Sequence, residues 1–124
     1  MTVMSVDDSK TVRFIVSSAV KLLGYDFEEA ANGKDALDKL QSLEKHIDLI
    51  ILDWNMPVMD GITFLKTVKA DDRYAHIPVM MLTTENEKMR ILEAVENGAV
   101  NYLVKPFTQE QLVSKIMEAM GKGI

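Results

Sequence analysis

Apolar positions in this chain follow two alternating periods. Short, nearly continuous apolar runs occupy residues 2–6 (Thr-Val-Met-Ser-Val), 47–52 (Ile-Asp-Leu-Ile-Ile-Leu), 78–82 (Pro-Val-Met-Met-Leu) and 100–104 (Val-Asn-Tyr-Leu-Val). Between them the spacing widens to the three- and four-residue steps of a helix. Val12, Ile15, Val16, Ala19, Leu22 and Leu23 form one such stripe over about 10–23, with Arg13, Ser17 and Lys21 opposite. Ala36, Leu37, Leu40 and Leu43 form a second stripe, and Ile62, Leu65 and Val68 a third. Helices four and five are predicted over about 87–97 and 108–120. A weak, polar strand over Asp26–Ala30 reads as a sheet edge. Gly24, Asn32-Gly33, Asp60-Gly61 and Gly98 punctuate the pattern as turns and helix ends.

Five βα units with strands apolar on both faces predict a parallel sheet covered by helices on each side. Right-handed crossovers then make this α/β chain a three-layer, doubly wound (βα)5 sandwich. In such folds the binding site lies beyond the carboxyl ends of the central strands. The residues at those ends therefore matter most. Strand one ends in Asp7-Asp8, strand three in Asp53, strand four in Thr83-Thr84 and strand five in Lys105-Pro106.

If strands one and three are neighbours, three carboxylates converge. Two like charges 4 Å apart repel by roughly 4 kcal/mol at an effective dielectric near 20. Such a cluster must hold a divalent cation or raise one aspartate's pKa. Hard oxygen donors in a water-accessible site suit Mg2+ or Mn2+ rather than zinc. Lys105 adds a fixed positive charge, Thr83 a hydroxyl donor, and Asp53 a carboxylate nucleophile on the central strand. Together these groups suit a phosphoryl group. Taken singly, each has a plainer reading: Asp7 or Asp8 as a helix cap, Lys105 as a surface lysine.

Composition narrows the field. At 124 residues, 48% hydrophobic and 27% charged, the chain fits one globular domain, residues 1–124. No apolar run approaches the ~20 residues of a membrane span, and no signal peptide is evident. The net charge of −5, without a basic patch, argues against a nucleic-acid surface. With no cysteine there is neither disulfide nor thiolate metal site, which fits a reducing cytoplasm. His46 and His76 have no metal-ligand spacing and read as plain surface residues. The chain ends in Gly-Lys-Gly-Ile with no linker or helix-turn-helix after it, so a complete, monomeric, single-domain protein is expected.

The segments "VDDS" (6–9), "LDWNMPVMDG" (52–61), "MLTTEN" (81–86) and "NYLVKPF" (101–107) occur in order and span the chain. Through them the sequence resembles the receiver domain of bacterial two-component response regulators, nearest to the stand-alone chemotaxis members. The resemblance implies a flavodoxin-like sheet of order 2-1-3-4-5. It implies phosphorylation of Asp53, with Mg2+ held by Asp8, Asp53, the backbone carbonyl of Asn55 and, through water, Asp7. Lys105 would pair with the carboxylate and then the phosphate, Thr83 would bond the phosphate, and Tyr102 would rotate inward. A cis peptide between Lys105 and Pro106 is implied as well.

Implied partners are a histidine kinase as phosphodonor, a downstream protein such as a flagellar motor switch protein, and a phosphatase. The protein would be a signalling switch, catalysing only its own phosphotransfer and dephosphorylation. Its output face would comprise Ile91, Val95, Tyr102 and Val104, rimmed by Lys88 and Lys115. From periodicity alone, Ile91 and Val95 read equally well as a core pair, and Tyr102 as an ordinary strand aromatic. A phosphate sink in another pathway would carry the same site. A Mg2+-dependent aspartyl-phosphate phosphatase wants an acid two residues after its nucleophile, where this chain has Asn55. Ser5, where an aliphatic residue is usual, needs a hydrogen-bond partner if buried. Thr84, Asn55 and Glu85 flank the expected site mouth.

Overall fold

The computed structural model describes residues 1–43, 46–84 and 88–121. Strands and helices alternate throughout: β1 (Thr2–Val6), α1 (Lys10–Leu22), β2 (Asp26–Ala30), α2 (Gly33–Ser42), β3 (Leu49–Asp53), α3 (Gly61–Ala70), β4 (Val79–Thr83), α4 (Lys88–Glu96), β5 (Asn101–Val104) and α5 (Gln109–Ala119). All strand pairs are parallel, in the order β2-β1-β3-β4-β5. The sandwich and its strand order are as expected, and polar β2 is the edge.

Alternation along the strands sorts the core into two layers. Met4, Val6, Ile50, Leu52 and Met81 face α2, α3 and α4, where they meet Ala36, Leu40, Phe64, Leu65, Val68 and Ala94. Val3, Leu49, Ile51, Met80, Leu82 and Leu103 face α1 and α5, against Val16, Ala19, Val20, Leu112 and Ile116. A parallel sheet buried on both sides is thus built from strands that look uniformly apolar.

Side-chain caps set the helix starts. Ser9, Asn32, Asp60 and Thr108 each accept a hydrogen bond from the backbone N–H three residues on. Thr108 and Gln111 form a reciprocal capping box. The expected stripe on α1 needs correction. The buried arc is Val16, Ala19 and Val20, whereas Leu22 and Ile15 are exposed. At 100° per residue, Leu22 sits roughly 110° from the centre of that arc, so the sheet cannot reach it. Phe14, also exposed, lies on the same outer side.

Ser5 is fully buried, and among the described residues its hydroxyl is the one buried side-chain polar atom without a hydrogen-bond partner. A buried hydroxyl left unsatisfied costs about 1–3 kcal/mol. Ser5→Ala should therefore leave stability unchanged or raise it by about 1 kcal/mol, read as a urea midpoint shifted upward at constant slope. A loss above 1 kcal/mol would show that the hydroxyl has a partner in solution.

Candidate functional site

The same alternation that orders the core aims the site. Asp7 continues Val3 and Ser5 along β1, Asp53 continues Leu49 and Ile51, and Lys105 continues Leu103. Each then falls on the α1–α5 side, at the carboxyl end of its strand. Carboxylate oxygens of Asp7, Asp8 and Asp53 lie within 4.8 Å of one another. Asp7 and Asp53 are 1% and 3% exposed, whereas Asp8 is open to solvent. The Lys105 ammonium lies 3.1 Å from Asp53 Oδ1 and 3.4 Å from Asp7 Oδ2. The Lys105–Pro106 peptide is cis.

Neither leading acid is the cap of α1. Ser9 takes that role, and Asp7 Oδ1 instead accepts the Ser9 N–H at 2.9 Å. Asp7 is further anchored by its own N–H to the Ala30 carbonyl at 3.1 Å, while its carbonyl accepts from Arg13 Nη1. Arg13 in turn pairs with Glu29 at 2.6 Å. The acid is held rigidly, with one oxygen left for Lys105.

Burial pushes the Asp53 carboxyl up to about 6, and the neighbouring Asp7 charge adds to the rise; Lys105 opposes both without cancelling them. A carboxylate this reluctant to ionise gains from a cation beside it. Three hard-oxygen donors, without histidine or cysteine, fit Mg2+. Asn55 follows in the exposed part of the β3–α3 loop.

The loop after Asp53 folds back on the strand end. Gly61 donates its N–H to the Trp54 carbonyl at 2.9 Å, and a Cβ on Gly61 would stand 2.4 Å from the Asp53 carbonyl oxygen. Gly61 is required here for space, since its φ is not positive. Val58 does hold a positive φ of 71°, within a tight turn closed by Met59 N–H on the Pro57 carbonyl at 2.7 Å.

Thr83 and Tyr102 occupy the opposite side of the sheet from the carboxylates' supporting core. They share one narrow cleft with Trp54, Met81, Arg90, Ile91 and Ala94. Thr83 is buried, and Tyr102 is 38% exposed with Lys115 Nζ 5.7 Å from its ring centroid. Exposure bears on the core reading that periodicity left open for α4. Val95 is 52% exposed, so it is not a core residue, and Ile91 is half-buried at the cleft. Val104 is half-buried on β5. Met89 and Leu92, not singled out from sequence, extend the exposed apolar face of α4. Glu85 and the Lys88 side chain lie outside the described residues.

Two features escaped sequence reasoning. Arg90 lies over the Trp54 ring, 5.4 Å from its centroid, and nothing in the helical pattern of α4 marks it. His46 and His76 stack on each other, though thirty positions separate them in the chain.

An acid at the tip of the central strand, with two further acids beside it and a lysine from the end of β5 paired to it, defines an α/β domain with an acidic, cation-compatible site at the carboxyl edge of its sheet. The chain belongs to the family of the response regulator receiver domain, whose profile matches residues 3–117. It is a domain of phosphorylation-dependent signalling. Receiver domains bind Mg2+ at an acidic cluster of the kind formed by Asp7, Asp8 and Asp53.

Among curated relatives, the chain is 41% identical over 122 residues to chemotaxis protein CheY1 of Helicobacter pylori strain J99, covering 98% of each chain. It is 40% identical over 124 residues to the CheY homolog of Campylobacter jejuni, covering 99% of this chain and 95% of the relative. Among solved structures, chemotaxis response regulator CheY4 of Vibrio cholerae superposes with a TM-score of 0.87 at 41% identity, covering 95% of this chain and 97% of the other. No helix among the described residues is long and apolar enough to cross a membrane.

Proposed function

We propose that Asp53 accepts a phosphoryl group from the phosphohistidine of a histidine kinase and that the acyl phosphate remodels the α4–β5–α5 face. The convergence of Asp7, Asp8 and Lys105 on Asp53 carries this reading. An Asp53 carboxylate oxygen attacks phosphorus, the phosphorus–nitrogen bond breaks, and the imidazole leaves with the electron pair and takes up a proton. Asp8, Asp53 and the Asn55 carbonyl, with Asp7 through water, would hold Mg2+, which would supply positive charge to neutralise phosphoryl oxygens. Lys105, already paired with Asp53, passes to the phosphoryl oxygens as charge moves there. Hydrolysis by the same site resets the domain.

Thr83 connects chemistry to output. Its hydroxyl moves to donate to a phosphoryl oxygen and leaves room in the cleft it shares with Tyr102, and Tyr102 turns inward. Shifting such an equilibrium from 1:99 to 99:1 takes about 5.5 kcal/mol. Two or three charge-assisted hydrogen bonds of ~1.5–3 kcal/mol each supply it. Thr83→Ala should accept phosphate as the parent does yet bind its output partner about tenfold or more weakly when phosphorylated. Equal partner affinity in parent and variant would end the coupling idea.

The CheY relatives are chemotaxis proteins. On that likeness the output is a chemotaxis signal to a flagellar motor switch protein, from a monomeric single domain of residues 1–124 working in the cytoplasm, with a phosphatase as a further partner. Exposed Val95 and Tyr102, half-buried Ile91 and Val104, and Lys88 and Lys115 form the docking face. Incubation with acetyl phosphate and Mg2+ tests the chemistry: intact-mass spectra should show one added phosphoryl group per chain. No mass gain under these conditions, with Mg2+ bound, would overturn the proposal.

A further inference from the structure

At the opposite end of the sheet from Asp53, the segments entering β3 and β4 carry two imidazoles and a carboxylate near one another. The imidazoles of His46 and His76 lie with ring centroids 5.4 Å apart and planes 9° apart. Asp48 Oδ1 stands 3.5 Å from His46 Nε2. Both histidines are exposed, and Asp48 is half-buried.

The backbone is pinned at Asp48 and on either side of His76, even though both rings are open to water. Asp48 donates its N–H to the Thr2 carbonyl at 2.8 Å, and its Oδ2 accepts the Thr2 N–H at 2.8 Å, leaving Oδ1 toward His46. His76 sits between two residues, Ala75 and Ile77, whose carbonyls accept from Lys69 Nζ at 3.0 and 2.7 Å. The β3–β4 register pairs Ile50 with Val79, and Ile50 donates its N–H to the Pro78 carbonyl at 3.0 Å. Continued backward, that register sets residue 47 beside residue 76. The sheet itself holds the two histidine-bearing segments side by side.

We propose that His46, His76 and Asp48 form a binding site for a borderline divalent transition cation of the Zn2+ class, separate from the carboxylate cluster. Two imidazoles and one carboxylate are the donors such a cation prefers, and they are not the all-oxygen set of Mg2+. The 3.5 Å between Nε2 and Oδ1 is close to the edge of a tetrahedron with zinc bonds of ~2.0 Å, about 3.3 Å. In the present rotamers the three ligand atoms do not all lie within 4.8 Å of one another, so His76 joins as the third protein donor once its exposed ring turns, and water fills the fourth position. Binding ties the start of β3 to the start of β4, so it stabilises the folded domain.

The test is calorimetric titration of Zn2+ into the full chain with Mg2+ in excess, so that the carboxylate cluster is occupied. One Zn2+ per chain is expected. Its affinity should fall about tenfold or more in His46→Asn and in His76→Asn, and stay the same in Asp53→Asn. Zn2+ should raise the Tm of the parent and of Asp53→Asn but not of the histidine variants. The Mg2+ response of Trp54 fluorescence in those variants, equal to the parent's, verifies that they are folded. Zn2+ uptake that survives both histidine substitutions, that is lost in Asp53→Asn, or that is absent from the parent would overturn the proposal.

Discussion

Asp53→Asn should take up no phosphoryl group from acetyl phosphate, while in the absence of metal it should be more stable than the parent. The first effect follows from losing the nucleophile: an amide oxygen at the same position cannot form the acyl phosphate. The second follows from the electrostatics of the cluster. Asp53 is 3% exposed, and its carboxyl is raised from 3.8 to about 6 in the folded protein, first by burial and then by Asp7. A carboxyl raised on folding contributes stability that is fully present below pH 3.8 and is lost as pH rises through about 6. At pH 7 the metal-free domain therefore carries an ionised Asp53 at a cost.

That cost is at most ~3 kcal/mol, and screening at the open mouth of the site lowers it to about 1–2 kcal/mol. Between pH 7.5 and pH 5 the Asp53 contribution should grow more favourable in the parent and stay flat in Asp53→Asn. Mg2+ should reverse the order by stabilising the parent and leaving the variant nearly unaffected. Urea titrations at both pH values, with and without Mg2+, read all of this. A parent and variant of equal stability at pH 7 without metal would show that Lys105 fully compensates the cluster.

Among the described glycines, Gly61→Ala should be the most damaging substitution. Its Cβ would meet the Asp53 carbonyl oxygen at 2.4 Å and the Trp54 Cα at 2.9 Å, both backbone atoms of the phosphoacceptor strand. Neither can yield as a flexible side chain would. The methyl must push α3 away from β3 or displace the strand end, and either breaks the Gly61 N–H bond to the Trp54 carbonyl. Overpacking of this kind costs about 3 kcal/mol or more. Because the displaced atoms flank Asp53, Mg2+ affinity should fall together with stability. Gly24→Ala is a useful contrast: nothing lies within 4 Å of its Cβ, and only its φ of 79° resists the change. A Gly61→Ala protein within 1 kcal/mol of the parent, with unaltered Mg2+ affinity, would show that the β3–α3 loop relaxes freely.

Alternating strand and helix periods, with strands apolar on both faces, were sufficient to imply a doubly wound parallel sandwich, since few other arrangements bury such strands. Strand-end chemistry was equally legible. Asp7, Asp8, Asp53, Thr83 and Lys105 each follow directly on an apolar run, and the fold rule points to those positions. Helix stripes were less reliable. Leu22 on α1 matched the period but faces solvent, because burial is chosen by what the helix packs against as well as by spacing.

Local sequence thus determined the elements and the identity of the groups at the sheet's carboxyl edge, which depend on residues a few positions apart, while the cap of α1 fell to Ser9 rather than to Asp7 or Asp8. Tertiary structure decided the rest. It set Asp7 rather than Asp8 against Lys105, put Thr83 and Tyr102 in one cleft, laid Arg90 over Trp54 and stacked His46 on His76. These contacts join segments far apart in the chain. Distances between them come from strand register and layer packing, and no period within a single segment encodes either.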